Sequence, residues 1–138
     1  MEKQEKPVPA AGTLTVTTLI HAADYHDRME MRYSCRYAQE NGVHRLKYDD
    51  AENGFTVVKI QPDGEITIRR AGAAPIVLRQ DYAHRVDYTT PYGVIPMVFT
   101  LQSASVNLSE DGGCVRYVSR VEIDGEPQLN TVTMELHL

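Results

Sequence analysis

Apolar and polar residues alternate with a period of two along most of the chain from Thr13 onward. The clearest stretch is Arg28 to Tyr37. There Met29, Met31, Tyr33, Cys35 and Tyr37 fall on one face and Arg28, Glu30, Arg32, Ser34 and Arg36 on the other. A helix would scatter those two sets around its circumference, whereas a half-buried strand separates them cleanly. Thr13-Leu14-Thr15-Val16-Thr17 alternates in the same way and is rich in β-branched residues. Further strands are predicted at 43–49, 55–60, 65–70, 75–80, 84–90, 93–108, 114–124 and 128–138. Pro96 cannot donate a ladder hydrogen bond, so its strand must have an edge, a bulge or a later start there.

Between the runs stand Asn41-Gly42, Asn53-Gly54, Asp63-Gly64, Asp111-Gly112-Gly113 and Asp124-Gly125. Asn or Asp before Gly tolerates the positive φ of tight antiparallel turns. No segment of helical length carries a 3.6-residue stripe, and residues 22–27 hold at most one helical turn. Short strands joined in sequence order by tight turns predict an all-β fold: a single antiparallel up-and-down meander of about 8–10 strands. Closing that sheet into a barrel removes its two edges, and a two-layer sandwich is the other solution. Residues 1–12 are polar, proline-bearing and aperiodic, and read as a flexible N-terminal arm before a barrel domain over 13–138.

Composition narrows the class. The chain has 138 residues, fitting one domain, and its formal net charge is -5. No apolar run is long enough for a membrane helix, so no membrane partner is expected. A nucleic-acid partner is not expected either, because the arginines are interleaved with acids rather than gathered into a basic stripe. The first residues lack the apolar core of a secretory signal, which makes the cytoplasm the expected address. Cys35 and Cys114 are then expected as reduced, inert thiols. The aromatic set is lopsided, with 8 Tyr, 2 Phe and no Trp.

The run Tyr88-Thr89-Thr90-Pro91-Tyr92-Gly93, followed by an alternating strand to Phe99-Thr100, and Arg70-Ala71-Gly72 at the end of an earlier strand, carry a family resemblance. Together with the strand order they resemble the YwiB-like family of small bacterial proteins, over roughly residues 13–138. The resemblance implies a calycin-like, lipocalin-like β-barrel and no established activity. A functional analogy with lipocalins would rest on the fold alone.

Candidate chemistry starts from tyrosine. Tyr33, Tyr37, Tyr48, Tyr88 and Tyr117 all fall on the apolar phases of their strands. A buried phenol without a partner costs about 1–3 kcal/mol, so five imply an internal polar network, hydroxyls reaching water at the barrel ends, or a cavity. Arg70 shares a phase with Ile66 and Ile68, which points it inward at a strand end. There it meets either a protein carboxylate or an anionic ligand. Arg28, Arg32 and Arg36 lie opposite the apolar face and are expected to face acids on a neighbouring strand. His21, Asp24, His26 and Asp27 have metal-ligand chemistry but match no ligand spacing, and no metal or cofactor is expected. No nucleophile elbow, phosphate loop, zincin or Cys-x-x-Cys motif occurs, so an enzyme is unsupported and no catalytic residue is assigned. Asp49 and Asp50 alternate to opposite faces, a poor arrangement for an acid/base pair.

The expected function is therefore binding of a small amphipathic or anionic molecule inside the barrel. Tyr33, Tyr48, Tyr88 and Tyr117 would orient it and Arg70 would neutralise it. The alternative is an interaction protein with a filled core, and a homodimer is compatible with either.

Overall fold

The computed structural model describes residues 9–51 and 54–138. Among them the chain forms ten strands and no helix: β1 (Ala10–His21), β2 (His26–Glu40), β3 (Val43–Asp50), β4 (Gly54–Ile60), β5 (Ile66–Arg70), β6 (Ile76–Leu78), β7 (His84–Thr90), β8 (Gly93–Ser109), β9 (Gly112–Ile123) and β10 (Glu126–His137). All ten belong to one antiparallel sheet in the order β6-β5-β4-β3-β2-β1-β10-β9-β8-β7. Neighbours in the sheet are neighbours in sequence except β1 and β10, which join the two halves. The sheet curls into a nearly closed barrel whose remaining edges are β6 and β7. No ladder joins those two strands. His84 Nε2 lies 3.2 Å from the Pro75 carbonyl oxygen across the gap, and Gln80 Nε2 donates to the Gln102 carbonyl at 3.4 Å.

The turn chemistry works as the sequence predicts. Asn41 and Gly42 (φ 53° and 78°) join β2 to β3, and Asp124 and Gly125 (φ 52° and 84°) join β9 to β10. Both are two-residue loops with positive φ throughout, whose twist matches the flanking strands. The Asn53-Gly54 turn lies half outside the described residues. So does most of the expected arm. Its last residues, Ala10 to Gly12, form the start of β1 and pair with Tyr37, Arg36 and Cys35. Pro96 sits where β8 has a ladder on one side only: it pairs with Asp87 on β7, and the β8–β9 ladder begins one residue later, at Met97 and Ile123.

The inward residues stack in rungs across β3, β4, β5 and β6, as the cross-strand register requires. One rung is Ile60–Ile66–Leu78 and the next is Leu46–Val58–Ile68–Ile76. These are the apolar centre of the core, with Leu46, Val58, Ile60, Ile66 and Leu78 almost wholly buried. The third rung is polar: Tyr48–Thr56–Arg70. The barrel therefore changes character along its axis, from a packed apolar end to a polar, open one.

The outer arginine series differs from its expectation. Arg28 pairs with Glu30 on its own strand at 3.0 Å, and Arg36 stands opposite Lys47 rather than an acid. Alternation puts equal residues of adjacent strands on one face but does not decide their sign.

Candidate functional site

Beyond the second rung the barrel encloses a cavity of about 590 Å³. Its walls come from both halves of the sheet. Val16, Val132 and Met134 form one apolar side; Ile68, Ile76 and Phe99 form another. The β5–β6 turn, Gly72-Ala73-Ala74, contributes only small side chains, and this leaves room for a mouth there. Val86 to Thr89 of the edge strand β7 stand on the cavity's other rim.

Arg70 enters this space from the last position of β5. It is half-buried, and its Nε is shielded from solvent with no hydrogen-bond partner. Among the described residues no carboxylate forms a salt bridge with it. An unpaired donor on a cation is costly to bury, on the order of 1–3 kcal/mol or more, so an arginine kept here for structure alone would be expected to have an acid beside it.

Tyr48 and Tyr117 line the same cavity. Both rings are buried, at 8% and 5% exposure, and no protein hydrogen bond is made by either hydroxyl among the described residues. Burial pushes the Tyr48 phenol above its ordinary value of 10.0. Arg70 pulls it down, while Asp50 and Cys35 push it up. Tyr117 is raised well above the usual tyrosine range, chiefly by burial, with Tyr48 adding to the rise and Arg70 opposing it. Both phenols are thus neutral at pH 7 and keep an O–H to donate. The site offers one fixed cation and two neutral donors in an otherwise largely apolar chamber. Ser119 and Asn130, paired across β9 and β10, add polar groups to the wall.

The residues singled out in the sequence separate here. Arg70, Tyr48 and Tyr117 come together in the cavity. Tyr88 is 53% exposed and stands at the mouth on β7. Tyr33 does not line the cavity. Its hydroxyl donates to Asp50 Oδ2 at 3.1 Å, and its ring stacks on Tyr48 with centroids 4.6 Å apart. It supports Tyr48 from behind rather than reaching the chamber. Tyr37 is also buried, with its hydroxyl 2.7 Å from His44 Nδ1. The inward Ser119 and Asn130 were not singled out, although each is a polar residue on an otherwise apolar phase. Asp50 is buried and Asp49 exposed, as alternation requires.

At the β1–β2 turn, His21 Nδ1 and His26 Nδ1 are 2.9 Å apart, and the Tyr25 hydroxyl donates to Asp27 at 3.0 Å. Among the described residues no group of three or more side chains is arranged to hold a metal. No helix among the described residues is long and apolar enough to cross a membrane.

Comparison with known proteins agrees with the resemblance read from the sequence. The family profile described as "Domain of unknown function (DUF1934)" matches residues 14–136. The crystal structure of the ywiB protein from Bacillus subtilis superposes with a TM-score of 0.76 at 20% identity, covering 94% of each chain. At that identity the likeness concerns the fold. A search of curated proteins finds no match.

Proposed function

We propose, from the premise that this chain belongs to the DUF1934 family and shares the YwiB barrel, that it binds a small amphipathic monoanion inside the barrel. The observation that carries this reading is the Arg70 guanidinium, set in the cavity wall with its Nε unpaired and two unpartnered phenols lining the same chamber. A carboxylate or similar group seated there would accept from Arg70, Tyr48 and Tyr117, and charge-assisted bonds of this kind are the strong ones. The apolar walls would take the rest of the molecule. The volume, about 590 Å³, lies within the ~300–1,000 Å³ usual for small-molecule sites.

Charge argues for a single negative group. Among the described residues Arg70 is the one cation in the lining, while Asp87 stands on the rim and Asp50 influences Tyr48 from behind. A dianion such as a phosphate monoester would bring a second charge with nothing to offset it in a water-poor site. The cavity also weighs against a barrel with a filled core, which would leave no such space.

Native mass spectrometry of gently purified protein tests the reading. The wild type should retain a ligand mass, and alkyl or aryl carboxylates should raise its melting temperature while inorganic phosphate does not. Arg70→Met should lose both effects. Without ligand it should be as stable as the wild type or more so, by about 1–3 kcal/mol, because the unpaired donor is gone. Barrels that are always empty, with no thermal shift across the carboxylates, would overturn the proposal.

A further inference from the structure

We propose that a second copy of this chain docks on the free edge of β2, extending the sheet by antiparallel pairing of residues 26–32 with Met29 on the two-fold axis. The inference is independent of the ligand reading. It starts from an imbalance in the ladders. β2 pairs with β1 along its length from His26 to Tyr37, but β3 joins its other side only from Cys35 onward. Among the described residues, the outer edge of residues 26–32 therefore has no ladder. All seven are exposed. A row of open backbone groups of this length is a template for another strand.

The side chains on this segment suit a protein partner. Met29 and Met31 lie on the face that is interior farther along the same strand, yet they are 47% and 46% exposed. Met29 also lines the cavity mouth. The opposite face carries Arg28, Glu30 and Arg32. The Arg28–Glu30 pair is 3.0 Å apart with both side chains well exposed, so exchanging it for the same pair across an interface costs little.

Self-pairing is constrained in register, and the constraints agree. Apolar faces match only if the two-fold axis passes through a residue rather than between residues, because a one-residue slip turns every side chain over. An axis through Arg28, Glu30 or Arg32 sets that charge against its own copy. An axis through Asp27 does the same with a carboxylate on the inner face. An axis through Met31 draws in Tyr33 and Ser34, but there the end of β3 lies alongside, with Asp50 bonded to Tyr33 at 3.1 Å. The axis through Met29 remains. It uses only residues 26–32, sets Arg28 opposite Glu30 of the second copy twice, and places Met29 against Met29. Its remaining positions set Asp27 opposite Met31 and His26 opposite Arg32 of the second copy.

A ribbon of seven residues from each copy is a small contact, so a reversible dimer is expected, in the weak class of interfaces below ~1,200 Å². Sedimentation velocity of the full chain at pH 8, over a concentration series reaching the millimolar range, tests it. The wild type should shift from monomer to dimer as concentration rises. Glu30→Arg sets Arg28 against a new arginine and should stay monomeric, with the far-UV spectrum and melting temperature of the wild type. Adding Arg28→Glu to Glu30→Arg restores opposite charges only in the register centred on Met29, and should restore the dimer. A wild type that remains monomeric throughout, an unchanged dimer in Glu30→Arg, or a failed restoration in the double variant would each overturn the proposal.

Discussion

Cys35 illustrates how a single side chain records the interior around it. Its thiol is 3% exposed, contacts the Arg36 carbonyl at 3.6 Å and stands opposite Tyr48 on the polar rung. Burial raises its pKa from 9.0 to about 11, with a backbone hydrogen bond from Lys47 opposing the shift. In the unfolded chain the thiol ionises first, so the folded state holds the extra proton. The stability this confers is fully present below pH 9 and is lost as pH climbs toward 11. It amounts to about 2–3 kcal/mol at most. Tyr37, Tyr48 and Tyr117 are raised in the same direction, also chiefly by burial, and add to the loss once pH passes the ordinary tyrosine value. Urea midpoints measured between pH 8 and pH 10.5 should therefore fall steadily, and Cys35→Ala should flatten the part of the curve between pH 9 and pH 10. A flat profile in the wild type would mean that the thiol and phenols are hydrated. The same burial keeps the thiolate scarce, in line with the inert cysteine read from an apolar mid-strand position.

Among the elements, β8 shows both the power and the limit of the alternation. Met97, Phe99 and Leu101 point inward at odd positions, and Val106 and Leu108 at even ones. The switch occurs at a bulge: Leu101 pairs with Ser119 and Ser103 with Val118, leaving Gln102 without an opposite residue. Its carbonyl is the one that accepts from Gln80 across the gap. Deleting Gln102 would merge the two phases into one regular alternation, keeping Phe99, Leu101, Val106 and Leu108 inward and removing only the bulge and the carbonyl that accepts from Gln80. Unfolding should stay cooperative, with stability lowered by no more than about 1–3 kcal/mol for the lost bulge and Gln80 contact, as urea denaturation followed by circular dichroism would show. Gln102→Ala keeps the extra backbone residue and should stay within about 1 kcal/mol of the wild type. Alternation reads 93–108 as one strand without placing the parity change, while of the edge, bulge or later start that Pro96 implies, a one-sided ladder is what forms. The same alternation brought Arg70, Tyr48 and Tyr117 inside. It could not distinguish a residue that lines the chamber from one packed behind it, so Tyr33 looked equivalent to Tyr48. Nor could it show that Tyr88 belongs to a strand at the barrel's open seam. Depth along the barrel axis and the position of the seam come from long-range register, and a period of two holds no information about either.

For the whole molecule, the topology is a cycle cut at an informative place. Eight of the nine ladders join strands consecutive in sequence; β1 with β10 is the long-range exception. The two strands that flank the connection 79–83, β6 and β7, share no ladder. The chain therefore closes its sheet between its two ends and leaves its seam in the middle of the sequence. Closing β1 onto β10 fixes a loop nearly the length of the chain, and such non-local pairing slows folding. A circular permutant that begins at Tyr82, ends at Asp81 and joins Leu138 to Ala10 through about six Gly/Ser residues would make every ladder local. It cuts no strand pairing, and His84 can still reach the Pro75 carbonyl from its new position near the amino terminus. Stopped-flow refolding should accelerate by about tenfold or more, while the unfolding rate and the thermal shifts expected from the proposed carboxylate binding stay near those of the wild type. An unchanged folding rate would place the slow step elsewhere, in the assembly of the polar rung rather than in closure. A permutant that folds but no longer responds to carboxylates would show that the 79–83 connection, by tying the two edge strands together, holds the mouth of the chamber in shape.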